Sequence, residues 1–305
     1  MILLIFFGVA TALLLLVCCW IFVRCFVRWP MPHERVEYPR GGVYSRCWDQ
    51  LVALVDDLER EPYEPARILA RDGVPLHARY YEFCAGAPTH ILLHGYRGSY
   101  QDMCGCFKIA KELGHNVLLV SQRAHGKSDG KYLSFGIKES RDCLAWIEYI
   151  NQRFGAEQPI ILKGVSMGAA TVMMASELEL PENVVGILAD CGYSSPEKII
   201  RHVMRKRHYP QLLFPFIRLG GLIFGGFDIC SNTPVRALKN CKLPVFFIHG
   251  DDDRFVPYEM GRENFEACPA KKYFFTGKNA GHGLSYLVDL EGYRRAHSEF
   301  MDEIL

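Results

Sequence analysis

The chain reads as an α/β protein with a mostly parallel central sheet covered by helices on both faces. Three observations predict this class. Short apolar or alternating runs recur from Ala66 onward with helical stretches between them. One run, Pro159-Ile160-Ile161-Leu162, leads into Gly164-Val165-Ser166-Met167-Gly168 and then into the helix-forming Ala169 to Ala175, the strand-turn-helix setting of a G-x-S-x-G nucleophile elbow. With 305 residues, the part left after residues 1–40 suits one large core and no second full domain.

From the start of the chain, Ile2 to Val23 carries no charged side chain and is long enough to cross a bilayer as a helix, so residues 1–28 are expected to form a transmembrane anchor. A cleaved signal peptide needs a basic n-region, a shorter apolar stretch and a small-residue cleavage site, none of which is evident. A lipoprotein reading of Cys18 fails because Val17 precedes it. Arg24, Arg28, Arg35 and Arg40 all follow the segment, and the positive-inside rule then puts the catalytic domain in the cytoplasm, with Trp20 and Trp29 bracketing the interface.

Residues 29–65 read as a tether and a lead-in helix. Pro30, Pro32, Pro39 and Gly41-Gly42 suit a tether, and Trp48, Leu51, Val55 and Leu58 recur at helical spacing with Asp56, Asp57, Glu59 and Arg60 turned outward. The main domain, 66–305, should hold strands at Arg67-Ala70, Leu76-Phe83, His90-His94, Asn116-Ser121, Pro159-Gly164, Val184-Asp190, Val245-His249 and Tyr273-Phe275. Helices are expected at Tyr100-Glu112, Gly136-Phe154, Met167-Leu178, Pro234-Asn240, Tyr258-Cys268 and Leu284-Leu305. Residues 193–233 are too long for a connection and read as a helical cap over the carboxyl edge of the sheet, either covering a pocket there or dipping into the nearby membrane. Its basic cluster (Arg201, His202, Arg205, Lys206, Arg207, His208) precedes apolar residues from Leu212 to Phe227; Arg218 and four glycines argue against a second membrane span there.

Lys+Arg 35 against Asp+Glu 34 leaves a net charge of +1, so no global field recruits nucleic acid. The 12 cysteines include no C-x-x-C pair, and H-E-x-x-H is absent, so neither a disulfide framework, a metal site nor a cofactor is indicated.

A serine hydroxyl is a poor nucleophile at neutral pH and needs a base, which in turn needs an orienting acid. Downstream of Ser166, Asp251-Asp252-Asp253 follows the strand ending at His249-Gly250, and His282 follows the next strand. Serine, acid, histidine is the chain order of one hydrolase class and differs from those of chymotrypsin and subtilisin. Asp251, Asp252, Asp253 and, at the end of the preceding strand, Asp190 are rivals for the acid.

These motifs resemble the α/β-hydrolase superfamily, and most closely membrane-anchored bacterial hydrolases of the serine aminopeptidase and monoacylglycerol lipase-like branch. The resemblance rests on His94-Gly95-Tyr96-Arg97-Gly98-Ser99, Arg123-Ala124-His125-Gly126-Lys127-Ser128, the elbow, the loop with Asp253, Val256 and Pro257, and His282. It implies Ser166 as nucleophile, His282 as general base and acid, and Asp253 as the acid, matching H-G-x-x-D-x-x-V-P. The oxyanion hole should use the backbone N–H groups of Met167 and Tyr96. His94, His125 and Ser128 read as loop-shaping residues, and Lys163 has no expected role.

A triad fixes acyl transfer without fixing the substrate. The apolar cap, its basic cluster and the anchor suggest a carboxylic ester with an apolar chain, in a carboxylesterase or lysophospholipase-like, lipase-like enzyme whose partners are that ester and the membrane. A serine aminopeptidase would need a group to hold an amine, for which the cap offers Glu197 and Asp228. A catalytically silent, membrane-tethered binding module is the third reading.

Overall fold

A computed structural model describes residues 2–28 and 44–305. The proline and glycine tether (Pro30, Pro32, Pro39, Gly41, Gly42), Trp29, Arg35 and Arg40 lie outside the described residues.

The chain opens with helix α1 (Ile2–Phe26), followed by α2 (Trp48–Arg60), which buries Leu51, Val55 and Leu58 on one stripe as their spacing requires. The strands are β1 (Glu64–Leu69), β2 (Pro75–Tyr81), β3 (Thr89–Leu93), β4 (Asn116–Ser121), β5 (Ile160–Val165), β6 (Val184–Asp190), β7 (Val245–Gly250) and β8 (Lys272–Gly277). They form one sheet in the order β1-β2-β4-β3-β5-β6-β7-β8. β2 alone runs against the others, pairing antiparallel with β1 and β4; the remaining pairs are parallel.

Helices cover both faces. α4 (Glu139–Phe154), α5 (Met167–Ala175), α8 (Pro234–Leu238) and α9 (Tyr258–Ala267) close the core built on Trp146, Val172, Met173, Leu238 and Phe247. On the other face, α2, α3 (Cys104–Glu112) and α11 (Leu290–Ile304) cover Leu92, Leu119, Ile161 and Phe246. β3 and β5 sit in the middle, where apolar residues are needed on both sides, and their side chains read accordingly.

Several expected helices differ in extent: the one expected at Met167-Leu178 ends at Ala175, and the one expected from Tyr100 opens with a 3₁₀ turn (Tyr100–Met103) before α3. The C-terminal one is two, α10 (Ser285–Val288) and α11, because the Asp289 side chain accepts from the Gly292 N–H at 3.0 Å and caps a new start. α4 begins at Glu139 rather than Gly136, since the Glu139 carboxylate accepts from Ser134 N–H (2.7 Å), Ser134 Oγ (2.6 Å) and Gly136 N–H (2.9 Å).

The inserted segment after β6 comprises α6 (Pro196–Lys206), a 3₁₀ turn (Gln211–Leu213), α7 (Phe214–Gly220) and a π-helical turn (Gly221–Gly225). Here α1 departs from the tethered arrangement the sequence suggests. Its last turns are packed into the domain: Ile21, Phe22 and Phe26 are buried with Phe214, Ile217 and Phe227 of the insert. Arg28 N–H donates to Lys131 O at 2.8 Å, and Leu133 N–H donates to Phe26 O at 2.9 Å.

Candidate active site

Ser166 is the single residue between β5 and α5, at φ 58° and ψ −115°. That left-handed backbone strains any side chain, and the surroundings enforce it. Ser166 N–H donates to Asp190 O at 2.8 Å, and Ser166 O accepts from Ala170 N–H at 3.0 Å. The flanking glycines answer to packing: a Cβ on Gly168 would fall 2.0 Å from Leu93 O, and one on Gly164 would fall 2.1 Å from the Gly168 carbonyl carbon. Met167 opens α5, fully buried.

The β7 loop brings Asp253 to His282, with Oδ2 2.7 Å from His282 Nδ1. The other carboxylate oxygen accepts from the N–H groups of Phe255 (2.8 Å) and Val256 (2.9 Å). Burial by itself would raise this carboxyl's pKa; the hydrogen bonds and charges of His249 and His282 outweigh it and hold Asp253 well below the usual carboxylate range. The rivals are occupied elsewhere. Asp251 accepts from Asn279 N–H (2.6 Å) and pairs with Lys278 (3.3 Å), and Asp252 pairs with Arg254 at 3.1 Å. Asp190 is buried, and its Oδ1 has no hydrogen-bond partner among the described residues. Burial pushes its carboxyl up to about 6 against the opposing charges of Lys163, His249 and His282.

Ser166 and His282 line one cavity of about 220 Å³, together with Tyr96, Asp190, Phe255 and Tyr286. Leu51 and Leu54 of α2 add an apolar wall. No residue of 193–233 lines it, contrary to the expectation of a cap closing over the pocket. The insert's buried apolar side chains instead pack on α1 and on the cluster around Met167, where Tyr193 and Ile199 lie.

A family model described as alpha/beta hydrolase fold matches residues 88–220, the stretch holding the elbow. The chain has the α/β-hydrolase fold. It is 25% identical over 219 residues to the uncharacterized protein YqkD of Bacillus subtilis, covering 71% of this chain and 72% of that one. It is likewise 25% identical over 218 residues to lysophosphatidylserine lipase ABHD12 of Danio rerio, covering 66% of this chain and 53% of the relative, so it spans about half that protein's length. Among solved structures, the Pyrococcus furiosus esterase Pf2001 superposes with a TM-score of 0.65 at 25% identity, over 82% of this chain and 95% of the esterase.

Around the candidate triad, the loop histidines hold backbone. His94 Nε2 accepts from Gln122 N–H at 3.1 Å, with Nδ1 2.9 Å from Gly95 O; His125 Nε2 accepts from Arg97 N–H at 3.0 Å, with Nδ1 2.8 Å from Arg123 O. Burial pushes them down to about 4 and about 3, so both stay neutral. Ser128 Oγ bridges strands, accepting from His77 N–H at 2.8 Å and donating to Ser121 O at 2.5 Å.

His249, Cys191 and Lys163 lie near the site without a role assigned from the sequence. His249 lies 3.4 Å from Asp253 and 2.9 Å from Val256 O, buttressing the acid; its position four residues before Asp253 was the available signal. Cys191, buried at φ 47°, brings its sulfur within 4.8 Å of ligand atoms on Asp253 and His282, and no local pattern marks it. These three could hold a metal by distance alone. However, Asp253 and His282 already satisfy each other, and burial raises the Cys191 thiol well above its usual value, opposing the thiolate a metal needs. Lys163 is fully buried on β5, its ammonium 5.5 Å from the Tyr293 ring centroid.

Proposed function

We propose that the protein is a membrane-anchored serine hydrolase that cleaves carboxylic esters, lipid-derived acyl esters among them, through an acyl-enzyme on Ser166. The observation that carries this is the 2.7 Å bond between Asp253 and His282, on the cavity that also exposes the elbow serine. In this reading Asp253 fixes the imidazole with its proton on Nδ1, leaving Nε2 to take the Ser166 proton as Oγ attacks the ester carbonyl. The N–H groups of Met167 and Tyr96 meet the developing oxyanion, Met167 with the added field of the α5 N-terminus. Collapse of the tetrahedral intermediate expels the alkoxide, which takes the proton from His282; water, deprotonated by the same imidazole, then releases the acid and restores Ser166. No cofactor enters the scheme.

The apolar wall from α2 suits an acyl chain, and two relatives bear the names of an esterase and a lysophosphatidylserine lipase. α1 is read as the anchor: its span Ile5–Phe26 is long and apolar enough to cross a membrane, and the arginines after it orient the domain to the cytoplasm. The peptidase reading loses its cap carboxylates, since Glu197 is paired with Arg201 (2.7 Å) and Asp228 with Arg218 (2.7 Å).

The test is a p-nitrophenyl ester series, acetate to palmitate, on the full chain in detergent, with Ser166→Ala and fluorophosphonate labelling as controls. Serine-dependent turnover peaking at medium or long chains is expected. Equal turnover of short and long esters removes the lipid-derived substrate, turnover of aminoacyl amides alone establishes the peptidase, and an unlabelled Ser166 leaves only the binding module.

A further inference from the structure

The insert's contact with α1 has a fixed height along that helix. A Cβ on Gly220 would sit 2.9 Å from Cys18 O and 3.2 Å from Phe22 Cβ, so the cap backbone lies directly on the α1 surface there. The Phe22 ring is 5.8 Å from that of Phe224. At 1.5 Å per residue, Phe22 lies about 6 Å and Cys18 about 12 Å before Phe26, toward the N-terminus. The 22-residue span Ile5–Phe26 is therefore about 33 Å long, close to the roughly 30 Å thickness of a bilayer's hydrocarbon core. A helix that fills the core with this span carries whatever touches Cys18 and Phe22 below the hydrocarbon boundary.

On the main-domain side Phe22 meets Tyr132, with ring centroids 5.6 Å apart; on the insert's side what touches the helix is apolar. The π-helical turn presents Leu222, Ile223 and Phe224 as exposed apolar side chains. The turn is closed on Gly221 O, which accepts from the N–H groups of Gly226 and Phe227. Arg218, the nearest charge on the insert, is neutralised by two bonds to Asp228, at 2.8 and 2.7 Å. Arg205 and Arg207 are exposed cations at the end of α6, of the kind that lipid phosphates attract, and Lys206 between them donates to Arg254 O.

We propose that the Gly221–Gly225 turn, with Leu222, Ile223 and Phe224, is embedded in the same phospholipid bilayer that α1 crosses. This rests on the reading of α1 as a membrane span and adds a second, lateral point of immersion. The enzyme is then seated at a fixed height and tilt. Tyr96, on the cavity wall, bonds through its hydroxyl to Cys25 O at 2.8 Å, one helical turn from Phe22, so the site is held beside the lipid surface.

The experiment uses the full chain in phosphatidylcholine and phosphatidylglycerol vesicles, with a benzophenone amino acid at position 13, 223 or 290 in place of the exposed Leu13, Ile223 or Leu290. After irradiation, mass spectrometry reads lipid adducts. Adducts at positions 13 and 223, with position 290 at background, are expected. Adducts at 13 with 223 at the level of 290, or 223 joined to a second copy of the chain, overturn the immersed turn and leave the anchor standing. Background at position 13 removes the anchor, and the proposal with it.

Discussion

Tyr96 Oη donates to the carbonyl oxygen of Cys25 at 2.8 Å, joining the loop after β3 to the last turn of α1. The neighbouring Arg97 Nη2 donates to Arg24 O at 2.7 Å, so two consecutive residues of the proposed oxyanion loop are fastened to the helix. Tyr96→Phe removes one neutral hydrogen bond and should cost about 1 kcal/mol of stability. Ester turnover should fall with KM nearly unchanged, because a displaced N–H acts on the transition state more than on substrate binding. Unchanged kcat in steady-state assays would sink the link between helix and loop.

The four acidic candidates separate by partner. Asp253→Asn should lower kcat by about 10⁴-fold, because the amide no longer holds the imidazole in the working tautomer. Asp190→Asn, on a residue without a bond to His282, should cost less than about tenfold, and Asp251→Asn and Asp252→Asn less than about twofold. A loss at Asp190 equal to that at Asp253 would move the acid to the end of β6.

At the elbow, Gly168→Ala pushes a methyl to within 2.0 Å of Leu93 O and 2.8 Å of His94 O, both of them packed backbone atoms. We expect no folded protein, read as loss of protease resistance. Gly8→Ala, with nothing within 4 Å of the new carbon, should be indistinguishable from the parent.

Phe26 is fully buried, with its ring 5.2 Å from Phe227 and 5.8 Å from Phe135. Phe26→Ala should destabilise the whole domain in detergent by about 3–5 kcal/mol. A helix serving as a detached anchor would give no change in the unfolding midpoint.

Neutral imidazoles set the acid limit of stability. Burial lowers His94 to about 4 and His125 to about 3, and holds His90 and His297 well below the usual 6.5. Below 6.5 the unfolded chain takes up protons that the folded chain refuses, so their contribution is full above that pH and is lost as pH falls. Asp190 and Asp142, raised to about 6, act in the opposite sense between 3.8 and 6. Four imidazoles outweigh two carboxyls, and Tm should drop between pH 7 and pH 5; a flat or rising Tm would show the balance reversed.

Periodicity and punctuation determined the fold. β3, β4, β6 and β7 fall where continuous apolar runs place them, because a parallel sheet covered on both faces needs such segments, and β2 falls where its side chains alternate. The elbow was legible for a similar reason: the strand-to-helix turn needs glycines at contact distance, and these stand in the sequence at 164 and 168. Among the three consecutive aspartates, residue types alone left the choice open, and only the folded loop put Asp253, and neither neighbour, on His282. The roles of the insert and of α1 were likewise tertiary decisions. Leu212 to Phe227 reads as apolar in sequence, but whether it covers a pocket or a helix depends on what lies across from it. In the fold Phe22 and Phe26 lie there, while α2, distant from the elbow in sequence, supplies the cavity wall beside Ser166. Local pattern specifies an element and its buried face; the partner of that face is set by long-range packing, which no short window of sequence contains.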